Sequence, residues 1–136
     1  MRLVKIAVLS VLILLVFYIR LAPSDPERWH VMPDAVTDED RRNGALRVRD
    51  VGGDGLQRLH EIILATARTK VLAGSVEENI VTYITRSRVI GFPDYTTVRQ
   101  LESQIEIYGR QRFGHSDFGV NATRIDGWLR ALEQGG

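Results

Sequence analysis

"DYTTVRQLESQIEIYGRQRFGHSDFGVNATRIDGWL", residues 94 to 129, changes its hydrophobic period part-way along, and that change decides the fold. From Asp94 to Phe113 the stretch is rich in Val, Ile, Thr and Tyr and alternates with a period of two, as strands do. Little more than Glu102 and Ser103 separates "DYTTVRQL" from "QIEIYGRQRF", which leaves room only for a tight hairpin. Further on the period becomes 3.6, with Ile125, Trp128, Leu129 and Leu132 on one helical face. Within the second strand Ile105, Ile107 and Phe113 share one parity, whereas Glu106, Tyr108, Arg110 and Arg112 share the other. The first set is expected to face the helices and the second to face away.

The same grammar extends upstream. "KVLAGSV" and "NIVTYITRSRVI" flank Glu77, Glu78 and Asn79 and read as another hairpin. "ALRVRDV", near residues 45 to 51, reads as a short strand ended by Gly52, Gly53 and Gly55. Asp54 followed by Gln57 resembles a capping box, and Leu56, Leu59, Ile63 and Ala67 supply the stripe of a helix over about residues 55 to 68. This order predicts an α+β fold: a small antiparallel sheet of about four to five strands with two helices packed on one face.

The N-terminus is of another kind. In "MRLVKIAVLSVLILLVFYIRLAPSDP", Ser10 is the only polar residue between Ile6 and Tyr18. Leu3 to Ala22 would form a helix about 30 Å long, enough to cross the hydrocarbon core of a bilayer. A cleaved signal peptide passes the same test, but Arg20 would occupy the small-residue site and Pro23 would follow the cut. Residues 1–22 are therefore expected to be an uncleaved transmembrane signal anchor. Arg2, Lys5 and the terminal amine at one end, against Arg20 followed by Asp25 and Glu27 at the other, predict a cytoplasmic N-terminus and a domain across the membrane. Residues 23–44 carry three prolines and a charge run and read as an irregular tether before the domain at 45–136. Trp29 is the exception in it, either a lid on core surface or an anchor at the bilayer interface.

Charge and cysteine content narrow the classes. The formal net charge is +1, but the first 22 residues hold three cations and no acid. The remainder has 15 basic against 17 acidic side chains, a net of −2, which offers no global field for nucleic acid. The chain has no cysteine, which excludes disulfides, thiolate metal sites and a cysteine nucleophile. His30, His60 and His115 are scattered without the spacing that metal-binding helices use, so neither a metal nor a cofactor is expected.

The junction between the last strand and the last helix is the densest in chemistry, and three readings of it are open. Asp117 or Ser116 can cap the helix, with Gly109, Gly114 and Gly119 supplying bends, so that the stretch is scaffold. Alternatively Arg110, Arg112 and Arg124, with His115, Asp117, Asn121 and Asp94, form a cradle beside a helix N-terminus for a carboxylate or phosphate. Finally His115 oriented by Asp117 could serve a hydrolase as general base, with Ser87 or Ser116 nearby, although no elbow motif surrounds either serine.

"RFGHSDFGVNATRIDGWL" resembles the closing signature of the domain of unknown function 1499 family, Arg-x-Gly-x-Ser-Asp-x-Gly-x-Asn-x-x-Arg. Arg112, Gly114, Ser116, Asp117, Gly119, Asn121 and Arg124 match it. "YITRSRVIGFPDYTTV" is similar to the family's middle motif, with Phe92 and Asp94 matching. The resemblance covers about residues 45 to 133; it departs at Pro93, at Tyr108-Gly109 and in the missing cysteine-containing segment. It implies a bacterial or plastid setting and envelope association, and no settled activity. The expectation is a single-pass protein of a bacterial inner membrane with a periplasmic, non-enzymatic domain. That domain would bind a small anionic ligand or lipid headgroup or dock an envelope partner; a hydrolase and a purely structural envelope module are the alternatives.

Overall fold

The computed structural model describes residues 1–135. Helix α1 (Arg2–Leu21) is followed by a single turn, α2 (Pro26–Trp29), and then by strands β1 (Glu39–Arg41) and β2 (Gly44–Asp50). Helix α3 (Gly55–Leu64), strands β3 (Thr69–Ser75), β4 (Ile80–Arg86), β5 (Pro93–Leu101) and β6 (Gln104–Gln111), and helix α4 (Val120–Gln134) complete the chain. The strands form one antiparallel sheet in the order β1-β2-β6-β5-β4-β3. The fold class is the expected α+β, but the sheet has six strands, not four to five. The extra one is β1, whose Glu39, Asp40 and Arg41 are all exposed and which pairs along the edge of β2.

Both long helices of the domain pack on one face, as periodicity requires. Leu56, Leu59 and Ile63 of α3 and Ile125, Trp128, Leu129 and Leu132 of α4 share a core with Val81, Tyr83, Val98, Ile105 and Ile107 from the sheet. Ile105 and Ile107 thus face the helices, whereas Phe113 lies beyond the end of β6 and packs elsewhere. The expected capping box at α3 does not form. The Asp54 side chain makes no capping bond and instead meets Arg58 at 3.3 Å. Gln100, far away on β5, accepts from the Leu56 backbone N–H at 2.8 Å and donates to the Glu102 carbonyl at 2.6 Å. One amide thereby satisfies an orphan donor of α3 and closes the β5–β6 turn.

The opposite face of the sheet exposes Ile84, Tyr95, Thr82, Thr97 and Arg110, a surface too apolar and too donor-rich to leave bare. Residues 23–41, expected to be an irregular tether, run down this face and cover it. The Ser24 hydroxyl lies 2.6 Å from that of Tyr95, and the Trp29 indole stacks on the Tyr95 ring at 4.0 Å between centroids. His30 Nδ1 is 2.8 Å from Thr82 Oγ1, and Asp38 accepts from the Val48 N–H at 2.9 Å before β1 begins. Trp29 is therefore a lid over a second small core with Ile84 and Tyr95, and not a bilayer anchor.

Helix α1 has the length and composition to cross a membrane and is otherwise almost wholly exposed, yet its last turn belongs to the domain. Ile19 and Ala22 are buried, and Tyr18 meets Phe113 edge-on at 6.1 Å. The Arg20 guanidinium donates to the carbonyls of Ile90 at 2.9 Å and Val89 at 2.5 Å.

If the lid is structural, Trp29→Ala removes a nine-tenths buried indole and uncovers Arg110, and lowers stability by about 3–5 kcal/mol in denaturant unfolding of the full chain in detergent. An unchanged midpoint would mean that residues 23–41 are a loose tether after all.

Candidate functional site

The sheet divides the side chains expected to converge. On the helix side, Arg124 donates to Asp94 Oδ2 at 3.1 Å and to Asn121 Oδ1 at 3.2 Å. Asn121 in turn donates through Nδ2 to Asp117 Oδ2 at 2.9 Å. Asp117 also accepts from the backbone N–H of Gly119 at 2.9 Å and of Asn121 at 3.2 Å, which caps the first turn of α4. Gly109 lets this helix come close: a Cβ there would lie 2.8 Å from Ile125 Cδ1 and 3.0 Å from Asn121 Oδ1. Burial pushes the Asp94 carboxyl above its usual range, and the nearby Arg124 cation opposes that shift without cancelling it. The four side chains form a clasp that fastens the start of α4 to the start of β5.

On the far side of the sheet, Arg110 lies under the Trp29 lid. It donates to Thr97 Oγ1 and the Tyr108 carbonyl, each at 2.9 Å, and to the Trp29 carbonyl. Its guanidinium stands 4.4 Å from the Tyr108 ring centre, and burial lowers its pKa to about 10. Arg112 reaches the Pro23 carbonyl at 2.9 Å and the Tyr95 hydroxyl at 3.3 Å. His115 is exposed, and no hydrogen bond joins it to Asp117 or to any other described residue. The Ser87 hydroxyl accepts from the N–H groups of Gly91 and Phe92 and so organises its own loop. The arginines share no concavity: Arg110 and Arg112 hold residues 23–29, and Arg124 holds α4.

A different concavity carries free charge. Where α1 meets the sheet, a cavity of about 520 Å³ is lined by Arg20, Arg68, Thr69, Lys70, Ile84, Arg86, Ser87, Arg88 and Gly91. Backbone carbonyls position three of its cations. Arg20 is held as described, Arg86 donates to Gly91 at 2.9 Å, and Arg68 Nε donates to the Arg86 carbonyl at 3.0 Å. Among the described residues none of the five cations is ion-paired. The contrast is a cleft of about 480 Å³ at the β1 edge, where Arg47 is paired with Asp126 and Asp40, and Arg49 with Asp38. That cleft has five acids against three bases, Arg130 included, so its balance is acidic and does not favour an anion.

The strand-to-helix clasp is built from Asp117, Asn121 and Arg124 of the closing motif and Asp94 of the middle one. Residues 19–132 match the family described as "Protein of unknown function (DUF1499)". The chain belongs to this family. The DUF1499 match begins at Ile19, the residue at which α1 becomes buried, and so takes in residues 23–41 as well as the sheet. No curated protein matches the chain. Among the described residues no group of three or more His, Asp or Glu side chains is placed to hold a metal ion. The sequence contained part of the basic groove, in Arg20 and in the paired Arg86 and Arg88. Arg68 and Lys70 join them only through the β3–β4 register, in which Thr69 faces Thr85 and Lys70 faces Ile84.

The clasp makes a prediction about stability. Arg124→Ala leaves Asp94 buried without its partner and lowers stability by about 2–4 kcal/mol in denaturant unfolding. The double variant Arg124→Met/Asp94→Asn, which removes both charges, recovers most of that loss. Equal loss in the single and double variants would show that the charge pair is not what fastens α4.

Proposed function

We propose that this DUF1499 protein is a non-enzymatic, membrane-anchored domain that binds an anionic headgroup in the basic groove at the base of α1. The observation that carries the reading is the set of unpaired cations Arg20, Arg68, Lys70, Arg86 and Arg88 around one cavity. Phosphate and carboxylate groups suit such a set, because arginine donors in a preset fork lose little freedom on binding. The surrounding charge favours the same end of the molecule. The loops at the far end of the sheet carry Asp50, Asp54, Glu77, Glu78 and Glu102, so the domain is polarised despite its net charge of −2.

An uncleaved anchor is supported by the burial of Ile19 and Ala22, since a cut after Ala22 would remove Arg20 from the groove and Tyr18 from Phe113. With Arg2 and Lys5 at the start of α1, the N-terminus lies in the cytoplasm and the domain on the outer side of a bacterial inner membrane. The groove then opens at headgroup level.

The test is headgroup binding to the full chain in detergent, with short-chain phosphatidylglycerol, phosphatidylcholine and inorganic phosphate as probes. Phosphatidylglycerol is expected to bind more tightly than phosphatidylcholine and to weaken as salt is raised. At about 1 kcal/mol per cation, Lys70→Gln/Arg88→Gln weakens it by about 2 kcal/mol, roughly 30-fold in Kd. Inorganic phosphate binding as tightly as the lipid would assign the groove to a free anion. No preference between the two lipids, together with an unaffected double variant, would remove the reading.

A further inference from the structure

In the domain that follows α1, the two most exposed large apolar side chains of the described residues are Phe118 at 92% and Val89 at 78%. Neither fits a solvent-facing loop tip by composition, and both lie on loops at the end of the sheet where α1 leaves it. Val89 is on the β4–β5 connection, and Phe118 is on the β6–α4 connection. The same two loops carry Phe92 and Phe113, whose rings lie 6.5 Å apart.

These loops are tied to α1. Arg20 binds the carbonyls of Val89 and Ile90, and Phe113 packs on Tyr18. Their level along the helix is therefore that of its last turn. A helix of 20 residues spans about 30 Å, the thickness of the hydrocarbon core, so the last turn sits where core gives way to headgroups. Apolar side chains such as Phe bury at that headgroup–acyl boundary, and cations beside them meet lipid phosphates. Arg88 and Arg112 flank these apolar residues in sequence.

The Phe118 backbone holds the ring outward. Its φ of 52° is uncommon for an aromatic residue, and it is fixed from both sides. The Phe118 N–H donates to Ser116 Oγ at 3.2 Å, and Asp117 holds Gly119 at 2.9 Å. The ring is thus presented by a pinned turn instead of folding back onto the α4 core.

We infer that the loops 87–92 and 112–119 dock on the bilayer that α1 enters, with Val89 and Phe118 inserted among the lipid headgroups and Phe92 and Phe113 beside the helix. The domain then lies against the membrane in one orientation. This goes beyond headgroup binding in the groove and rests only on α1 being embedded.

The chain has no cysteine, so single substitutions can be labelled uniquely with a nitroxide. The full chain is reconstituted in vesicles of phosphatidylethanolamine and phosphatidylglycerol. Labels are placed at Val89→Cys, Phe118→Cys, Leu12→Cys within α1, and Glu77→Cys on the distal hairpin. Relaxation by oxygen is compared with relaxation by a water-soluble nickel chelate. The labels at positions 89 and 118 are expected to shift toward oxygen relative to position 77, approaching position 12. If position 12 is lipid-accessible while positions 89 and 118 are as aqueous as position 77, the anchor stands and the docking is wrong. Dipolar broadening between copies at position 118, with no gain in oxygen accessibility, would assign the patch to a second copy of this chain and overturn the proposal. If position 12 is itself aqueous, α1 is not embedded and the inference falls with it.

Discussion

The stack of Trp29 on Tyr95, closed beneath by Arg110, is the contact on which the rest of the arrangement depends. A sheet with helices on one face must still do something with the other, and here that face carries a tyrosine, an isoleucine, threonines and a buried guanidinium. Arg110 spends its donors on Thr97, Tyr108 and the Trp29 carbonyl, so the cation that burial disfavours is also what fixes residues 23–29 in place. Because that segment is fixed, Pro23 reaches Arg112 and Ser24 reaches Tyr95, and the exit of α1 has only one place to go. Helix and sheet are joined without a flexible linker.

That junction gives the basic groove its meaning. Lys70 and Arg86 sit on the sheet and Arg68 and Arg88 on the loops beside it, but Arg20 comes from the helix, so the cavity is complete only while the two are docked. Five like charges in one cavity repel one another, and the fold tolerates them because carbonyls at Val89, Ile90, Gly91 and Arg86 receive their donors. The signature residues act one step removed: Asp117, Asn121, Arg124 and Asp94 hold the start of α4, and Arg112 holds the start of the covering segment.

Much of the fold was legible from hydrophobic period alone, because strands β2 to β6 and helices α3 and α4 bury one face each and show it. β1 was not, since its three residues are polar and exposed and show no apolar alternation. The cap of α3 was illegible for a similar reason, because its acceptor, Gln100, lies 44 residues away. At the candidate site the residue types of a clasp were visible and the role of Asp117 as a cap was among the readings. Parity put Arg110 on the face away from the helices, where it lies, but the side taken by Asp94 was not legible. That depends on Asp94 standing opposite Gln111 in the β5–β6 register, which puts Asp94 on the helix side while Tyr95 and Arg110 face the other way. Two residues adjacent in a motif can in this way be separated by the thickness of a sheet.

Residues 19–41 join α1 and the domain into one body. Amide hydrogen exchange on the full chain in lipid nanodiscs tests it most directly. Amides of Ala22, Trp29, His30 and the β1 pairing are expected to exchange on the timescale of the sheet's edge strands. Exchange across 22–41 as fast as an unstructured peptide, with the sheet itself protected, would contradict it and make the groove an accident of a hinged tether.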